Sequence, residues 1–74
     1  MVIYSLIQSS NGDWSIRRET VTLFSQMQLS PAIQLARETA RDEHMRSGRS
    51  TIVEMPGPAS TIRLALFASE PSTA

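Results

Sequence analysis

Seventy-four residues without a cysteine allow one small domain and exclude disulfides, thiolate metal sites and a cysteine nucleophile. Seven arginines balance seven acidic side chains, so the chain lacks the cationic excess on which nonspecific phosphate-backbone binding rests. No apolar run approaches the roughly 20 residues that span a bilayer, and no basic residue precedes the apolar start as in a secretory signal; a cytoplasmic protein without membrane partners is expected.

Residues 2–9 are apolar and β-prone, and residues 14–18 partly alternate. Asn11-Gly12 between two such runs is the strongest short hairpin signal, because a type I′ turn needs positive φ at both central positions. With that dipeptide at the turn centre, Ser9 faces Trp14, Ile7 faces Ile16 and Ser5 faces Arg18. Ile3, Ile7, Trp14 and Ile16 then share one face, the expected core. Tyr4, Leu6, Gln8, Ser15 and Arg17 share the other. Residues 20–26 read as a third strand by β-branched content, with Val21 and Leu23 on one side and Phe24 on the other.

Ser30-Pro31 opens a helix, serine as N-cap and proline at the first helical position. From residue 31 to about 46, Ala32, Ile33, Leu35, Ala36, Thr39 and Ala40 fall on one face; Gln34, Arg37, Glu38, Arg41 and Asp42 fall on the other. Glu43 breaks the pattern by projecting toward the apolar side, and Met45 by projecting toward solvent. The last turn is therefore expected to fray or leave the sheet. His44 and Arg46 suit a helix C-terminus, and Gly48 suits its end. Residues 51–55 form a fourth strand, Pro56-Gly57-Pro58 a turn, and residues 61–68 a fifth strand. Residues 69–74 are expected to be a disordered tail. The fold class is α+β over residues 1–68: an antiparallel sheet, β-β-β-α-β-β, with one amphipathic helix packed on one face.

Chemistry-bearing patterns are sparse. His44 is the only histidine, and without a second nitrogen ligand it reads as a helix-end cation rather than a metal ligand or general base. There is no Gly-x-Ser-x-Gly elbow, and glycines 12, 48 and 57 are too scattered for a phosphate loop. The expectation is no enzyme, no cofactor and no metal. Arg17 and Arg18 point to opposite faces of a strand, so they cannot form one patch.

The runs Tyr4-x-Leu6-Ile7, Asn11-Gly12-Asp13-Trp14-Ser15-Ile16-Arg17-Arg18, Ser30-Pro31-Ala32-Ile33 and Ala36-Arg37-Glu38-Thr39-Ala40-Arg41 resemble the bacterial domain family of unknown function number 2188. The resemblance spans about residues 4–41 and implies a hairpin with a glycine-tryptophan turn, a third strand and an alanine-rich helix; it implies no activity. Pro56-Gly57-Pro58 and the apolar last strand depart from that family's polar, glycine-containing ending. The same hairpin, third strand and helix are similar to the HicB-like antitoxin domain, whose Pro-Asp-Leu-Pro-Gly segment is missing from residues 20–29.

The leading functional expectation is a small non-catalytic interaction module, a homodimer or the binder of another protein. A sheet covered by one helix leaves a face open, and its interface would include Tyr4, Leu6, Phe24 and Phe67. The alternative is a nucleic-acid-binding or antitoxin-like regulator. It would use Arg37 and Arg41, one helical turn apart, with Arg46 and Arg49. Glu38, Asp42 and Glu43 interleave with these arginines, which favours a solvated helix face.

Overall fold

Gly12 has φ +94°, but Asn11 does not have a positive φ, so the type I′ turn is absent. In the computed structural model, which describes residues 1–68, Ser9 N–H donates to Asp13 O at 2.8 Å and Gly12 N–H to Ser9 O at 3.0 Å. These bonds close a three-residue loop, Ser10 to Gly12, with glycine at its left-handed position. Side chains reinforce it: Asn11 Oδ1 accepts from Ser9 Oγ and, at 3.3 Å, from the Asp13 N–H.

The extra loop residue slides β1 (Val2–Gln8) by one position against β2 (Trp14–Arg18). Tyr4 lies opposite Arg18, Leu6 opposite Ile16 and Gln8 opposite Trp14. A one-residue slip moves every side chain of a strand to the other face. Val2, Tyr4 and Leu6 are therefore buried, while Ile3 and Ile7, expected in the core, are half-buried on the opposite face. On β2 the expected face holds: Ile16 is fully buried and Trp14 packs against the core.

The chain continues through β3 (Val21–Met27), α1 (Leu29–Ser47), β4 (Thr51–Pro56) and β5 (Thr61–Phe67). The strands lie in the order β3-β2-β1-β4-β5. The α+β class and the element order are those expected, but the sheet is mixed rather than antiparallel. β4 runs parallel to β1, with Val2 opposite Thr51 and Tyr4 opposite Val53. The cause is the helix: α1 carries the chain back along the sheet, so β4 starts from the same end as β1 and β3. The tail expected at residues 69–74 lies outside the described residues.

α1 begins two residues earlier than the serine-proline signal implies. Gln28 occupies the cap position without a side-chain cap bond, and Pro31 sits in the first turn, where no intrahelical donor is lost. Gly48 ends the helix as expected, with φ +74° and its N–H donating to His44 O at 2.8 Å. The last turn, however, neither frays nor leaves the sheet: the helix runs to Ser47 and Glu43 is bound to Arg18 of β2. Ala32, Ala36 and Ala40, four residues apart, are fully buried. Their methyl-only surface lets the helix lie close on Tyr4, Leu6, Ile16 and Val53, the core of the domain. Thr51, also fully buried, ties the two layers by donating its Oγ1 hydrogen to Ala40 O at 3.0 Å.

Candidate functional site

The four residues expected at an interface do not share a surface. Tyr4 and Leu6 lie beneath α1 with 2% and 0% exposure, a correction that follows from the register slip. Phe67, opposite Thr51, is half-buried against the same core. Phe24 alone is exposed, at 41%.

Exposed apolar side chains gather instead on β3, where Val21 and Leu23 join Phe24 at 58% and 38% exposure. Val21 pairs with Arg18 and Phe24 with Ile16, so both share the helix side of the sheet. α1 packs mainly on β1, β2, β4 and β5; on β3 Met27, at the end of the strand, packs against the core, and residues 21–26 are exposed. Strands are spaced about 4.8 Å apart, which sets β3 roughly 10 Å from β1, about the width of a helix. β3 is thus a ledge beside the helix. It is also one of the two edge strands, with one row of backbone groups unpaired within the sheet. Register shifts around Ile16 and a left-handed Gln26 (φ 57°) bend it. On the opposite face Ile3, Ile52 and Leu66 form a cross-strand row, bordered by Glu54 and Arg63, which face each other.

Glu43, the residue that broke the helical pattern, is explained by a cluster under the last turns of α1. Arg18 Nε donates to Glu43 Oε1 at 2.7 Å and Arg18 Nη2 to Glu43 Oε2 at 2.6 Å. The Tyr4 hydroxyl donates to the same carboxylate. The Arg18 hydrogen bonds hold the Glu43 carboxyl down at about 2 despite burial. Burial first, and then the hydrogen bond to Glu43, pushes the Tyr4 phenol up to about 12. The Arg18 guanidinium is held still more firmly in its charged form by the hydrogen bond to Glu43. Near neutral pH the three groups keep their protons where they are: the cluster fastens helix to sheet and is not poised for acid–base chemistry. Its signal was present in the sequence as two misplaced charges of opposite sign, Glu43 on the apolar helix face and Arg18 at the core margin.

The four candidate arginines separate. Arg37 and Arg41 line a groove of about 310 Å³ with Gln34, Glu38 and Phe67, and among the described residues no carboxylate lies within ion-pair distance of either. Arg46 is paired with Asp42 at 3.1 Å. Arg49 follows the helix end, where its carbonyl accepts from His44 Nδ1 at 2.8 Å. His44 is thereby fixed at the helix terminus. Among the described residues no three His, Asp or Glu side chains are grouped to hold a metal ion, and no helix is long and apolar enough to cross a membrane. Set against protein-family models, curated proteins and solved structures, the chain matches none.

Proposed function

We propose that this chain is a small, non-catalytic interaction module of the cytoplasm that works by associating with itself. The exposed β3 ledge supports this reading most: Val21 and Phe24, two large apolar side chains on the helix side of the sheet, stand in solvent, and Leu23 between them is exposed as well. Contiguous apolar patches on small domains mark contact surfaces. A core that rests on three alanines and a few large side chains gains much from further burial, because small domains cover little of their own surface. The zero net charge removes long-range repulsion between copies. Sedimentation velocity across the micromolar range is the test. A mass that rises from monomer to dimer with concentration supports the proposal, and a monomer at every concentration refutes it.

A second reading, contact with nucleic acid, is favoured by the groove in which Arg37 and Arg41 stand beside Phe67, neither of them ion-paired among the described residues although Glu38 also lines the groove. Two guanidinium groups would meet phosphates while the ring stacks a base. Retardation of single-stranded RNA or DNA that weakens steeply with salt, and is lost in Arg37→Ala/Arg41→Ala, supports it. No binding at low salt removes it.

A further inference from the structure

We infer that β3 is the surface on which two copies of this chain meet, related by a two-fold axis near Phe24; the inference rests on the self-association proposed above. A two-fold contact brings each surface against itself, so any like charge at its centre meets its own copy. All seven residues of β3, VTLFSQM, are uncharged. The other edge of the sheet differs: β5 carries Arg63 within the strand and follows a loop with Pro58 next to Gly57, both common guards of exposed edges. The face opposite the helix carries Glu54 and Arg63 beside its apolar row. Of the two edge strands, β3 is the one that meets itself without opposing a charge of its own.

One flank of α1 carries charges that balance each other. Thr39, Asp42 and Arg46 border a depression of about 290 Å³ over Tyr4 and Glu43. Asp42 and Arg46 already neutralise each other there. A standard interface buries roughly 800 Å² per partner, about one-sixth of the 5134 Å² that the chain exposes. Val21, Leu23 and Phe24 supply the apolar part of such a contact. Because bulges bend β3, the contact is made by side chains around Phe24 rather than by a long backbone ladder. A β3-to-β5 contact would instead be head-to-tail and would build rings or open filaments rather than a two-fold dimer.

Sedimentation velocity on the full chain, on Phe24→Lys and on Leu66→Lys tests this. Leu66 is a comparably exposed leucine on the opposite face. The expected result is a dimer for the parent and for Leu66→Lys, and association weakened roughly tenfold or more in Phe24→Lys. If Phe24→Lys dimerises like the parent, the β3 contact is overturned while self-association stands; if the parent is monomeric throughout, both fall. Should Phe24→Lys fail to fold by circular dichroism, the natural lack of cysteine offers a second measurement. Under mild oxidation, Phe24→Cys should give a disulfide-linked dimer much faster than Leu66→Cys. Equal rates for the two overturn the inference.

Discussion

Ala36 is the middle of the stripe on which α1 rests, fully buried with Ala32 and Ala40 one turn to either side. Changing it in both directions tests whether the close seat of the helix holds the layers together. Ala36→Gly removes a buried methyl, about 0.8 kcal/mol, and lowers helix propensity by about 1 kcal/mol. The sum is about 2 kcal/mol of lost stability. Ala36→Leu adds three carbon atoms where Leu6, Ile16 and Val53 already fill the sheet side. Overpacking of that kind costs about 1–3 kcal/mol, because the helix must rise and draw Glu43 away from Arg18 and Tyr4. In a domain of this size 1 kcal/mol moves the melting temperature by about 4–8 °C. Ala36→Gly should then melt about 8–16 °C below the parent, Ala36→Leu also clearly below it, and Arg37→Ala within a few degrees. Thermal melts at one fixed protein concentration measure this, the concentration held because association shifts melting. If Ala36→Leu melts with or above the parent, small residues do not set the helix–sheet distance.

The Tyr4–Arg18–Glu43 cluster gives stability a dependence on pH at both extremes. Glu43 titrates at about 2 folded against 4.5 for a free side chain, so its contribution is present above about pH 4.5 and lost as pH falls toward 2. The Tyr4 phenol is raised from 10.0 to about 12, so its contribution is full below pH 10 and lost as pH rises toward 12. Urea titrations should show Glu43→Gln flattening the acid limb and Tyr4→Phe the alkaline one, the latter at a cost of about 1–2 kcal/mol at neutral pH; unchanged limbs would refute the linkage. Gly12→Val should cost about 1–2 kcal/mol by backbone strain alone, since nothing lies within 4 Å of the added Cβ. Asn11→Ala should cost less, because Asn11 does not have a positive φ; equal costs in chemical denaturation would restore the type I′ turn. Thr51→Val, which loses the bond to Ala40 O at 3.0 Å, should lower stability by about 1 kcal/mol in the same assay.

The elements were legible because their signals are local. Trp14 to Arg18 alternates and is a strand over those residues; Gly48 ends the helix as its left-handed φ requires. The register was not legible, because Asn-Gly serves both a two-residue and a three-residue loop, and the choice rests on Ser9 and Asp13 closing around Asn11. That single residue reversed the faces of β1 and carried Tyr4 and Leu6 from the proposed interface into the core. The parallel pairing of β1 with β4 was illegible for another reason: nothing in the periodicity of either strand says which distant strand lies beside it. Phe24 is exposed, but on the helix side of the sheet rather than on the open face expected of it, because it pairs with Ile16. Glu43 looked like a fault in the helix only while its partner, on a strand 25 residues away, was out of view.

The central position of β1 also sets an order of events during synthesis. β1, β2 and β3 are made before α1 and β4, and they can pair as a meander while the apolar face of Val2, Tyr4, Leu6 and Ile16 is still bare. The strand that completes the hydrogen bonding of β1 runs from Thr51 to Pro56, and the bond from Tyr4 to Glu43 spans 39 positions. At about 5–20 residues per second, the stretch from Met27 to Pro56 takes roughly two to six seconds to appear. During that interval the middle strand of the finished sheet is an open edge. Slower synthesis of α1 and β4 would prolong the exposure and favour pairing between neighbouring nascent chains.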